Sequence, residues 1–275
     1  MDFLEPIPQS EPVLLLLPPP VPAPVDDGKN AVVGLLDVVL VACVTLAAYA
    51  VCGAFAVVIF LSRHSSFRID SPSLTKALEH NVFFLLPLQL AVYAIVVGFM
   101  AFLVWARYRS GLGRAVRWNV PKPNRALMAL LGGVALAFFA DVAELLLQRW
   151  TPKSLPITEL FKDRSSAFAL AAFGIMVAPL VEELFFRGFL YPALSRWTGI
   201  VPAVAITGAA FALLHESQLA HAWAPLLVLF VIGAALTAVR AASKSVATCV
   251  LIHMAYNFTL FTQLYIGSDG FRHLD

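Results

Sequence analysis

Three short motifs place groups able to move protons inside otherwise apolar stretches. They are Glu182-Glu183-Leu-Phe-Phe-Arg187, Phe211-Ala-Leu-Leu-His215 and His253-Met-Ala-Tyr-Asn257. A carboxylate, two imidazoles and a guanidinium converging in a dry cavity can activate water and stabilise an oxyanion. In that reading Glu182 takes a proton from water, His215 helps to hold the water, and His253 with Asn257 binds the developing oxyanion. Either imidazole, with a carboxylate, can instead ligate a metal, which makes Glu182, His215 and His253 the candidate ligands. Glu183 and Arg187 are four residues apart, one above the other on a helix face, so they can pair. Glu182 sits about 100° around the helix from Glu183 and is left free to address something else.

Insertion scales put an ionised side chain at the centre of a membrane helix at about 2.5–3.5 kcal/mol. Glu182, Glu183 and Arg187 together would cost roughly 8–10 kcal/mol, on the order of a whole domain's stability. Such a cluster persists only where partners offset it and a function needs it. Plainer readings exist for most of these residues. Glu183 and Arg187 can be an ion pair gluing helices, His215 an interfacial histidine, and His253 with Asn257 a hydrogen-bonding pair across a bundle. Glu182 has no comparable local partner, which favours function there. Asp141 and Glu144 read as interfacial, and Glu216 and His221 as loop residues meeting water. Tyr191, Trp197 and Trp223 read as interface belts, and Phe185, Phe186 and Phe189 as lipid-facing or packing residues.

The elements that must position these groups are membrane helices. Of 275 residues, 60% are hydrophobic and 13% charged, with a mean hydropathy of +0.82. A soluble domain of this length needs far more polar surface, whereas lipid accommodates apolar side chains. The expected fold is all-α, a polytopic transmembrane bundle of about seven helices. The apolar stretches are 31–61, 82–106, 126–147, 167–191, 201–215, 224–239 and 246–261. A crossing takes about 20 apolar residues, so the last three are short and shelter inside the bundle or end at a cavity. Residues 1–30 hold a run of prolines, Pro18-Pro19-Pro20, and read as a disordered tail. Residues 31–164 then form an N-terminal group of helices, 165–265 the segment with the chemistry, and 266–275 a tail. Net charge of +2, with no basic cluster interleaved by aromatics, argues against nucleic acid. Cys43, Cys52 and Cys249 lie in apolar stretches without metal spacing. Arg107, Arg109, Arg114, Arg117, Lys122 and Arg125 form the densest basic stretch, which the positive-inside rule puts in the cytoplasm together with the N-terminus.

Glu182-Glu183-Leu-Phe-Phe-Arg187 resembles the EExxxR signature of the CAAX prenyl protease type II and bacteriocin-processing family of intramembrane proteases. Phe211–His215 is similar to that family's FxxxH motif and His253–Asn257 to its HxxxN motif, in the family's order. The resemblance covers about 100 C-terminal residues and leaves the first two spans to hydropathy alone. It implies endopeptidase activity on membrane-anchored or membrane-proximal peptides, with Glu182 as base and His215 as its partner. It also implies a multi-pass protein of a bacterial cytoplasmic membrane. The family's chemistry is described both with zinc and as glutamate-based without a required metal, so zinc is the one cofactor it raises.

Two other classes use the same residues. A proton- or cation-coupled transporter would use the glutamates as a relay, but no inverted halves are visible. A catalytically silent immunity or scaffold protein would keep the fold and act by binding. Here every motif residue is present.

Overall fold

In the computed structural model, residues 33–63, 72–161 and 163–273 are described, and every regular element among them is helical. The Pro-rich tail read over 1–30 lies outside the described residues. The first helices are α1 (Leu35–Arg63), α2 (Pro72–Glu79), α3 (Val82–Tyr108), α4 (Leu112–Ala115) and α5 (Pro123–Leu147). There follow α6 (Arg164–Met176), α7 (Ala178–Glu183), a π-helical segment Leu184–Leu190, α8 (Tyr191–Thr198), α9 (Ile200–Leu213), α10 (Trp223–Ser243) and α11 (Val246–Gly267).

Among the described residues six helical stretches are long and apolar enough to cross a membrane, one of them the continuous run Arg164–Thr198. The seventh expected span is shorter. α9 has 14 residues, about 21 Å at 1.5 Å per residue against ~30 Å of hydrocarbon.

The fourth span differs most from the single helix read over 167–191. It runs for 35 residues and is broken twice. Pro179 has no N–H to continue the ladder of α6, and the chain turns at Val177 before α7 begins. Beyond Glu183 the N–H of Tyr191 reaches back five residues to the Phe186 carbonyl, so the helix carries a π turn. Both breaks flank the glutamate pair.

Three local devices set the neighbours. Asp37, the one acidic residue in α1, is buried where α1 meets the end of α3. It accepts hydrogen bonds from the Gly34 N–H at 2.7 Å and the Tyr108 hydroxyl, and pairs with Arg107 at 2.9 Å. α5 presses on α11 at Gly133, where an added Cβ would lie 2.3 Å from the Ile252 carbonyl oxygen. The segment after α3 is stitched to the α10–α11 turn. Val246 N–H donates to the Arg117 carbonyl at 3.2 Å, and Asn119 Nδ2 to the Lys244 carbonyl at 3.2 Å.

These bonds gather the start of α1, the basic segment 107–122 and the α10–α11 turn at one end of the bundle. Arg196 of α8 joins them through the Val33 carbonyl, at 2.5 Å. Large apolar side chains point outward, Leu46 and Leu146 each at 71% exposure, as lipid-facing helices require. Tyr191 corrects the belt reading: it is buried, whereas Trp197 and Trp223 are exposed. Phe186 and Phe189 are buried packing residues.

Candidate active site

Glu183 and Arg187 are both fully buried, one helical turn apart. Arg187 Nη1 donates to Glu183 Oε1 at 2.7 Å, and the same oxygen meets His253 Nδ1 at 2.9 Å. The rest of the guanidinium is also satisfied. Nη2 donates to the Gly233 carbonyl at 2.7 Å and Nε to Thr237 Oγ1 at 3.2 Å. Its face lies over the Phe211 ring, 5.0 Å from the centroid, a contact that stabilises a cation. A buried charge kept in this way is paired and hydrogen-bonded.

His253 is the hinge between the two glutamates. With an ionised Glu183 on Nδ1, the ring proton sits on Nδ1, and Nε2 presents a lone pair on the other side. There Glu182 Oε2 lies 3.9 Å from Nε2. That is too long for a direct hydrogen bond and suits a shared water. The Glu182 side chain keeps 19% exposure while Glu183 has none. Two adjacent carboxylates therefore have different work: one holds the imidazole, the other faces the accessible side.

A second set of residues reaches Glu182 from α1 and α3. Tyr93 of α3 lies close to both Glu182 and Gln89. Tyr49 donates to Gln89 Oε1 at 2.5 Å. Tyr93 also stacks on Phe173 of α6, with centroids 5.8 Å apart. Gln89 and both tyrosines lie outside the three motifs and are not singled out by them. The signal was present: Gln89 and Tyr93 are four residues apart in an apolar helix, hence on one face.

His215 lies just beyond the end of α9. Its Nδ1 is 2.8 Å from the Phe211 carbonyl, which points Nε2 away from its own helix. The Phe211 ring lies 4.9 Å from the His215 ring and 5.8 Å from the His253 ring, so one aromatic ring contacts both imidazoles. Asn257 is placed otherwise. Its Nδ2 donates to the Gly174 carbonyl at 2.6 Å, tying α11 to the last turn of α6 beside the Pro179 break.

Zinc was raised for Glu182, His215 and His253. Among the described residues no group of three or more His, Cys, Asp or Glu side chains is placed to hold a metal ion. Glu183 is committed to Arg187, and His215 Nδ1 to its own backbone. Glu182, His215 and His253 therefore do not form a three-ligand metal group among the described residues.

Residues 164–259 match the family model described as type II CAAX prenyl endopeptidase Rce1-like. All three motifs fall within that span. No curated protein and no solved structure matches the chain. With its membrane helices the chain is an integral membrane protein, and its segment 164–259 is similar to the type II CAAX prenyl endopeptidase Rce1-like family.

Proposed function

We propose that the protein is an intramembrane endopeptidase that hydrolyses a peptide bond in a membrane-anchored protein or peptide, with Glu182 as the base. The observation that carries this reading is His253, held by Glu183 on Nδ1 and facing Glu182 with Nε2. A water between Glu182 Oε2 and His253 Nε2 donates one hydrogen to each and turns an oxygen lone pair outward. Glu182 removes one proton as the oxygen bonds to the peptide carbonyl carbon. The protonated Glu182 then delivers that proton to the leaving nitrogen as the carbon–nitrogen bond breaks. His215, in contact with the same Phe211 ring as His253, assists by stabilising the oxyanion. Asn257 acts as a tie between α6 and α11, in place of the oxyanion role first assigned to it with His253. Tyr93, close to Glu182, flanks the base in this reading.

Enclosure by apolar helices strengthens each of these electrostatic interactions. The basic end of the bundle, carrying Arg107 to Lys122, faces the cytoplasm in this proposal. The test compares new protein termini in membrane fractions from cells carrying the wild type or Glu182→Gln, at matched levels of inserted protein. Termini present with the wild type and absent with Glu182→Gln are expected. Identical sets of termini overturn the proposal.

A further inference from the structure

α10 offers three residues on one face at spacings of four and three, Gly233, Thr237 and Arg240, and all three grip Arg187. Two hold its side chain: the Gly233 carbonyl accepts from Nη2 and Thr237 Oγ1 accepts from Nε. The Thr237 hydroxyl proton is itself fixed, donated to the Gly233 carbonyl at 2.7 Å. The third holds the main chain. Arg240 Nε donates to the Arg187 carbonyl at 3.0 Å.

That carbonyl needs an outside donor for a reason written in the sequence. In an α-helix the N–H of Tyr191 would serve it, but the π turn directs that N–H to Phe186. With π spacing the next residue would serve it, and that residue is Pro192, which has no N–H. The π turn and the proline together orphan the Arg187 carbonyl, and a buried orphan is costly. Arg240 is 4% exposed and meets carbonyls in place of a carboxylate, its Nη2 lying 3.4 Å from the Val116 carbonyl. The Val116 side chain packs on Gly188, where an added Cβ would come within 3.0 Å of it.

We infer that Thr237 and Arg240 are positioning residues for the reaction, fixing Arg187 by side chain and main chain so that Glu183 aims His253 at Glu182. This rests on the proteolytic reading above. Arg187 can turn only if these bonds break, and Glu183 Oε1 takes its direction from Arg187. A small rotation there is passed to His253 Nε2, the atom set against Glu182.

The test uses the full chain in membranes and reads the rate at which Glu182-dependent termini form, per inserted and folded molecule. Thr237→Val keeps the side chain's shape and removes the hydroxyl. It is expected to slow formation about 10- to 100-fold, the scale of a small misplacement in a site. Thr237→Ser, which keeps the hydroxyl, is expected to restore most of the rate. Arg240→Lys keeps the charge without the Nε–H and is expected to slow the rate in the same way. If Thr237→Val and Arg240→Lys lower only the melting temperature, with wild-type rate per folded molecule, the inference is overturned and the protease reading stands. If no Glu182-dependent termini form with the wild type, the protease reading falls and this inference falls with it.

Discussion

Glu183 Oε1 serves Arg187 at 2.7 Å and His253 at 2.9 Å, while Glu183 Oε2 is buried without a hydrogen-bond partner among the described residues. A carboxylate so placed depends on its cation. Removing one partner of a buried ion pair typically costs about 3–5 kcal/mol, because the other charge is left uncompensated. Arg187→Met should therefore lower stability by about that amount in thermal unfolding of the detergent-purified protein. Arg187→Met combined with Glu183→Gln should recover part of the loss, since no ionised group then remains unpaired. A double variant as unstable as the sum of the two single changes would contradict this account of the pair. Glu182 follows different logic. It is partly exposed, so Glu182→Gln should leave the melting temperature close to wild type.

At the scale of elements, packing and capping make separate predictions. Gly133 lets α5 touch the backbone of α11, and the contact is with main-chain atoms that cannot swing away. Gly133→Ala should destabilise the protein by about 1–3 kcal/mol through overpacking, read as a lower melting temperature. An unchanged value would mean that the two helices lie further apart. Asp163 caps α6, outside the membrane run. Hydrogen bonds from the Ser165 hydroxyl, the Ser166 hydroxyl and the Ser166 N–H hold its carboxyl down to about 2. An unfolded aspartate titrates near 3.9, so the folded value is the lower one. The cap's contribution is then complete above about pH 4 and fades as pH falls towards about 2. The stability advantage of the wild type over Asp163→Asn should shrink across that window, and a constant difference would contradict the cap.

Helix identity was legible in sequence because apolar runs of 20 or more residues leave no other structure in lipid. The break at Val177 and the π turn were not. Pro179 and Pro192 mark where the ladder must fail, but a proline alone does not say whether the chain kinks, turns or shifts to π spacing. Pairing of Glu183 with Arg187 was readable from spacing. That His253 would join the same oxygen depends on how α11 crosses α7, which periodicity does not encode.

For the whole molecule, the motifs lie inside 164–259, yet their support comes from outside it. Tyr93 of α3 lies close to Glu182, Tyr49 of α1 bonds to Gln89, and Val116 braces Arg240 and Gly188. Such contacts are invisible to motif reading because they link residues far apart in the chain. The architecture also makes a topological prediction. Arg114 lies in the basic segment at one end of the bundle, and Glu216 at the other end, beyond α9; both are exposed. Arg114→Cys and Glu216→Cys should react with a membrane-impermeant maleimide from opposite faces, Arg114→Cys from the cytoplasmic one in the proposed orientation. Labelling of both from one face would refute the arrangement. The proposed activity depends on Glu182 activating water opposite an imidazole that Glu183 holds. Its most direct test reconstitutes purified protein in lipid vesicles with a membrane protein whose Glu182-dependent terminus has been mapped. Glu182→Gln should cut at least about 100-fold more slowly than wild type, the range of a lost general base, with an unchanged melting temperature. Equal rates from the two proteins would contradict it.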